Sequence, residues 1–223
     1  MQLLEDNVYC YTGTNVLVNK LDIRDASELE CVERHLVGIR EISCVDFDFK
    51  NYDFDILCGL HKYLFQDVYS WAGEPRKIDI FKGKSDFVSC SDIDKEADKI
   101  FSSLADDDLL KGLERDDFCQ KISYLLADID YLHPFREGNG RCERVFVSAL
   151  ARNAGWNLHL EDLSSKRFHE AMIVSRPSTS ILESLFRKNV EFVGEPVVGS
   201  SKDISLIQRV KNFFGVADKY EYR

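Results

Sequence analysis

The sequence is short of positive charge, of long apolar runs and of paired cysteine spacings. Lys and Arg number 29 against 39 Asp and Glu, a formal net charge of −10. A mean field of that sign repels a phosphate backbone, so the chain makes a poor generic nucleic-acid binder, and any polyanion site must be a local patch. No apolar run approaches the roughly 20 residues of a membrane span. The first nine residues include Glu5 and Asp6 and lack a signal-peptide pattern. The seven cysteines, Cys10, Cys31, Cys44, Cys58, Cys90, Cys119 and Cys142, are odd in number and form no C-x-x-C. They suit neither a disulfide framework nor a zinc knuckle, and read as small hydrophobes in a reducing compartment. The expectation is a cytoplasmic protein with neither a nucleic-acid nor a membrane partner. No internal repeat or low-complexity tract is visible.

What is present suits one sizeable core. Of 223 residues 44 % are hydrophobic, and 15 Phe, 9 Tyr and 2 Trp supply ample surface to bury, which argues against disorder in the bulk. Asp25-Ala26-Ser27-Glu28 reads as a capping box, followed on one face by Leu29, Val32, Leu36 and Ile39. Phe54, Leu57, Leu60, His61, Leu64 and Val68 mark a second helix. A third starts at Ser91-Asp92 and carries Ile93, Ala97, Ile100 and Leu104; a strongly apolar fourth carries Phe118, Ile122, Leu125, Leu126, Ile129 and Leu132. Val145, Phe146, Ala149 and Leu150 define a fifth, stopped by Gly155, and two shorter helices follow around residues 165–174 and 178–190. Residues 76–88 alternate at period two around Lys82-Gly83-Lys84-Ser85 and read as a β-hairpin. The expected fold class is therefore all-α, a helical bundle with one small β-hairpin flap. Residues 194–201 collect Gly, Pro and Ser and read as a boundary. One domain is expected over residues 1–193. Over residues 194–223 a linker and an amphipathic helix with Ile204, Ile207, Val210, Phe213 and Phe214 are expected.

The most informative stretch is His133-Pro134-Phe135-Arg136-Glu137-Gly138-Asn139-Gly140-Arg141-Cys142-Glu143-Arg144, between the fourth and fifth helices. Pro134 disfavours helical geometry at His133 and ends the incoming helix there. Gly138 and Gly140 let the backbone approach a ligand without a Cβ in the way. A helix starting near Asn139 presents N–H groups without internal partners at the positive end of its dipole, which makes an anion site. Arg141 and Arg144, at i and i+3, share a face over that terminus, and two guanidinium forks suit a di- or triphosphate. Glu137 offers a hard oxygen to Mg²⁺, which takes one or two carboxylates plus phosphate oxygens. Asn139 can donate to a phosphate oxygen, and the His133 imidazole can take a proton near neutral pH. The chemistry that fits is attack of a hydroxyl on a nucleotide phosphate. Alone, His133 would read as a helix-end histidine bonded to backbone, and the two arginines as a solvated helix face; their company reverses both readings. His61, on an apolar helix face, reads as a satisfied core histidine. Asp106-Asp107-Asp108 reads as a solvated junction.

The run HPFREGNGRCER resembles the signature H-x-F-x-[D/E]-G-N-G-R-x-x-R of the Fic (Fic/Doc) family at every specified position. Residues 11–21 and Val68-Tyr69-Ser70-Trp71-Ala72-Gly73 are similar to stretches of bacterial members, so the resemblance covers roughly residues 8–193. It implies the Fic fold and a bacterial protein adenylyltransferase that moves AMP from ATP to a Ser, Thr or Tyr hydroxyl of a target protein. It implies His133 as the general base and Glu137 as the holder of Mg²⁺ on the α- and β-phosphates. Gly138, Asn139 and Gly140 would form the anion hole, with Asn139 on the α-phosphate. Arg141 would take the β-phosphate and Arg144 the γ-phosphate, while Pro134 and Phe135 shape the loop. The flap, with Ile78, Ile80, Lys82 and Gly83, would pair in β fashion with the target segment. Gly138, Gly140 and both arginines favour AMP transfer over the kinase and phosphocholine-transferring branches.

Family members are usually restrained by a helix carrying [S/T]-x-x-x-E-[G/N]. Thr179-Ser180-Ile181-Leu182-Glu183-Ser184 comes closest but ends on Ser, and Ser27 is followed four residues on by Cys31. The implied inhibitor is a separate small antitoxin-like protein. Two alternatives stand beside the transferase. One is a nucleotide-binding scaffold without activity. The other is a Fic-type domain of a larger secreted effector or toxin, working in a host cytosol with another phosphate-group transfer.

Overall fold

A computed structural model of the chain describes residues 8–82, 85–160 and 165–194. Among them run helices α1 (Ala26–Ile42), α2 (Phe54–Phe65), α3 (Ile93–Asp106), α4 (Arg115–Leu132), α5 (Asn139–Asn153), α6 (Ser165–Ser175) and α7 (Ser180–Asn189). The first two begin for the same reason: a carboxylate in extended geometry accepts from an orphan N–H three residues on. Asp25 Oδ1 accepts from Glu28 N at 2.9 Å, and Asp53 Oδ1 from Ile56 N at 2.9 Å.

Helix α4 is the axis of the molecule, packed by α3, α5, α6 and α7, while α2 lies against α1 and α5. Its Phe118, Ile122, Leu126, Ile129 and Leu132 are all fully buried, and burying each such side chain contributes about 1.5–3 kcal/mol. That core matches the apolar stripe read from the sequence. It fixes the end of α4 and the start of α5, and so the loop between them.

The hairpin is present as β1 (Phe81–Lys82) and β2 (Ser85–Asp86), antiparallel, with Phe81 opposite Asp86 and Lys82 opposite Ser85. Gly83 lies outside the described residues, as do residues 195–223 with the expected linker and apolar stripe. A second small sheet was not expected. Here β3 (Trp156–Leu158) pairs antiparallel with β4 (Val190–Phe192). Each strand is three residues long, too short for period-two alternation to separate it from a helix end. No helix among the described residues is long and apolar enough to cross a membrane. No disulfide joins any of the seven cysteines.

Candidate active site

Helix α4 ends on His133, which caps it in the left-handed region (φ 42°, ψ 57°) with its N–H on Ile129 O. A following proline disfavours the helical alternative at this residue. His133 Nδ1 lies 3.0 Å from the carbonyl oxygen of Asp130. A carbonyl can only accept, so Nδ1 carries the hydrogen and Nε2 holds the lone pair. Nε2 is therefore the atom able to take a proton. Phe87, on the return arm of the flap, stacks on the imidazole with ring centroids 3.9 Å apart.

The loop that follows rests on aromatic rings. Phe135 is 1 % exposed and stacks on His61 at 3.8 Å, and His61 stacks on Phe65 at 4.6 Å. His61 Nδ1 accepts from Gly73 N at 2.9 Å, so its Nε2–H donates to Glu137 O at 2.9 Å. The core reading of His61 holds, and the residue also fastens the loop. Burial drives its pKa down to about 3, with Arg141 acting in the same direction against the Glu137 carbonyl. The unfolded chain takes up this proton below about pH 6.5, whereas the folded one refuses it until far lower. Stability is therefore lost as pH falls through the window between. In melts of wild type and His61→Phe, the wild-type advantage at pH 7 should shrink by about 2 kcal/mol at pH 5. A gap constant with pH would contradict a neutral buried His61.

Asn139, the first residue of α5, is 3 % exposed. Its Oδ1 accepts from Phe135 N at 2.9 Å and its Nδ2 donates to Phe135 O at 2.8 Å. The side chain is a clasp across the loop. What it offers an anion most directly is its backbone N–H, one of the orphan donors of the helix start. Gly138 stands before it at φ +86°, where a Cβ would run into the Phe65 ring. Gly140 differs: it is helical, and a Cβ there would meet only Arg144 Nη1 at 3.6 Å. Nothing among the described residues requires a glycine at Gly140, although one inside a helix costs about 1 kcal/mol relative to alanine. The exposed space above it suits a ligand.

Arg141 Nη2 lies 2.6 Å from Glu33 Oε1 and 3.6 Å from Glu137 Oε1, and its guanidinium sits 4.7 Å from the centroid of the Phe65 ring. Glu33 is 7 % exposed on the inner face of α1, and its other oxygen accepts from the Tyr69 hydroxyl. Burial and the Glu33 carboxylate push the Tyr69 phenol up, so it stays a donor. Burial lowers the Arg144 pKa, which the Glu41 and Glu143 carboxylates counter. The nearest approach to an inhibitory motif, Thr179 to Ser184, falls on α7; there Glu183 accepts from Thr179 Oγ1 at 2.7 Å and lies 3.6 Å from Arg187.

Two places bear on a divalent metal. The Glu137 side chain is 48 % exposed beside the start of α5, with Oε1 accepting from Gly138 N at 2.9 Å. One open, hard carboxylate at that place fits Mg²⁺, which brings its own waters and phosphate oxygens. Asp130, His133 and Glu143 hold potential ligand atoms within 4.8 Å of one another. That imidazole-containing set suits a softer transition metal better.

The expected loop residues thus converge at one helix start. Sequence reasoning left unmarked the supports drawn from elsewhere: Glu33, Phe65, Tyr69 and Phe87. Glu33 alone carried a local signal, a carboxylate between the inward-facing Leu29 and Leu36.

A histidine cap, a glycine at positive φ and two arginines in the first turns of the next helix mark the junction of α4 and α5 as the candidate site of a helical protein. The Fic/DOC family model matches residues 51–151. A probable protein adenylyltransferase of Sinorhizobium fredii is 41 % identical over 170 residues, covering 74 % of this chain and 86 % of that one. Protein adenylyltransferase VbhT of Bartonella schoenbuchensis is 37 % identical over 201 residues, covering 88 % of this chain and 42 % of that one. This chain spans less than half the length of VbhT. The crystal structure of the translocated effector BepC of Bartonella tribocorum, with bound AMPPNP, superposes with a TM-score of 0.77 at 25 % identity, covering 82 % of this chain and 96 % of that one. The chain belongs to the Fic/DOC family.

Proposed function

We propose that this chain is a protein adenylyltransferase that transfers AMP from ATP to a Ser, Thr or Tyr hydroxyl of a target protein. One observation carries the reading: a histidine with a free Nε2 lone pair stands six residues before a helix N-terminus lined by two arginines. His133 Nε2 takes the hydroxyl proton as the oxygen attacks the α-phosphorus, and the bond from that phosphorus to the β-phosphate oxygen breaks. The products are an AMP ester on the target and pyrophosphate. The first N–H groups of α5 hold the charge that develops at the α-phosphate, and Arg141 and Arg144 hold the departing pyrophosphate. Mg²⁺ bound at Glu137 would supply further charge neutralisation on the phosphates.

The flap supports a target-docking role for Ile78, Ile80, Lys82 and Gly83, by β-pairing along its edge. Residues 1–193 form the Fic domain of this reading, and residues 194–223 a linker and amphipathic helix. Seven cysteines without a disulfide favour a reducing cytosol. A small antitoxin-like protein would supply the missing inhibitory glutamate. The short span relative to VbhT favours a second reading, in which this domain works inside a longer effector; a larger native protein on a size-calibrated blot would support that.

Incubation with Mg²⁺ and ATP labelled at the α-phosphate should mark a protein in a bacterial or host lysate, and label at the γ-phosphate should not. The reverse pattern would make the chain a kinase.

A further inference from the structure

The Arg76 side chain is fully buried, and its hydrogen bonds among the described residues go to backbone at the junction of flap and loop. Nε donates to His133 O at 2.9 Å, Nη1 to Ile78 O at 2.9 Å and Nη2 to Val88 O. Its own N–H donates to Pro134 O at 2.7 Å. Ile78 lies on the outgoing arm of the flap and Val88 on the return arm. One planar guanidinium thus joins both roots of the hairpin to the carbonyl of the base.

We propose that Arg76 is a positioning residue that sets the flap, and with it the acceptor hydroxyl, at working distance from His133 Nε2. The proposal rests on the adenylyltransferase reading above. Three considerations carry it. First, His133 is a non-glycine residue at φ 42°; a bond to its carbonyl oxygen restricts ψ and so helps hold its left-handed geometry, from which the ring projects. Second, the return arm is referenced to the same point twice more, by Val88 N donating to Tyr131 O at 3.1 Å and by Phe87 on the imidazole. Third, a buried guanidinium loses its hydration, a cost of several kcal/mol. Its nearest carboxylate, Asp79 Oδ1, stands 3.6 Å off on a half-exposed side chain and is itself held by Cys90 N at 2.7 Å. An apolar plug would fill the space without that cost. A rigid fork meeting three carbonyls does what no apolar group or point-like ammonium can. Among the described residues its hydrogen bonds go to residues 78, 88, 133 and 134 and not to 137–144, so its loss should touch nucleotide affinity far less than labelling.

The test compares wild type, Arg76→Lys and Arg76→Ala. Initial rates of lysate labelling from α-labelled ATP are measured together with Mg²⁺–ADP affinity by calorimetry. The ring-current shift that Phe87 imposes on the His133 imidazole protons is followed by NMR. Labelling should fall roughly 100-fold in Arg76→Lys, with ADP affinity within about threefold of wild type. Guanidinium ion at millimolar concentration should restore part of the activity of Arg76→Ala, and none to Arg76→Lys. The ring-current shift should shrink in both variants. Labelling by Arg76→Lys near the wild-type rate, ADP affinity falling in step with it, or an unchanged ring-current shift would each overturn the proposal. A wild type that labels nothing would overturn the transferase reading instead, and the NMR shift would still decide the role of Arg76.

Discussion

His133→Ala should lose target labelling by about 10²–10⁴-fold, the usual worth of a general base, while Mg²⁺–ADP affinity stays within about threefold. The asymmetry follows from the geometry. His133 caps α4, whereas the proposed phosphate site is the start of α5 with Arg141 and Arg144. The two are joined by a loop whose shape is held from below by Phe135, His61 and Asn139. Alanine at residue 133 leaves those supports untouched. It also lacks a β-branch, so it tolerates the left-handed cap at a cost of about 1–2 kcal/mol. Parallel calorimetry and labelling would read the split. An alanine variant that labels within tenfold of wild type would remove His133 from the chemistry.

Gly138→Ala and Gly140→Ala should part company, although both replace a motif glycine by the same residue. At Gly138 the backbone sits at φ +86° and the new methyl would strike the Phe65 ring. Left-handed strain of about 1–2 kcal/mol adds to overpacking of about 1–3 kcal/mol. A drop of about 5–15 °C in Tm follows for a domain of this size, with at least tenfold weaker ADP binding as the loop lifts from its ring floor. At Gly140 the methyl meets only Arg144 Nη1 at 3.6 Å. The unliganded protein should gain up to about 1 kcal/mol from better helix propensity, and yet bind ADP more weakly. Equal melting shifts for the two variants would show that Phe65 yields and that the loop is softer than its packing implies.

These contrasts show where sequence reading reached and where it stopped. The loop was legible because its chemistry is contiguous: base, turn, helix start and both arginines fall within twelve residues, and each obeys a local rule of backbone geometry or dipole. The helices were legible from apolar period alone, as α4 shows. The supports were not, because they depend on which distant segments meet. Arg76 looked like the first residue of an alternating flap, and nothing nearby foretold that its guanidinium would reach His133. Asn139 reads as a phosphate donor from the sequence; the fold adds that its amide also clasps Phe135, using one of its two N–H donors. His61 was placed in the core correctly, but its bond to Glu137 O spans 76 residues. The pairing of β3 with β4 was hidden for a plainer reason, since three residues carry too little pattern.

That second sheet fixes where Gly194 sits. Val193 N donates to Gly155 O at 2.9 Å, so Gly194 stands beside the C-terminal end of α5. The opposite end of the same helix, where the candidate site lies, is about 22 Å away. A fluorescent protein spliced directly after Gly194, in place of residues 195–223, would therefore start at the heel of the molecule, about a helix length from its mouth.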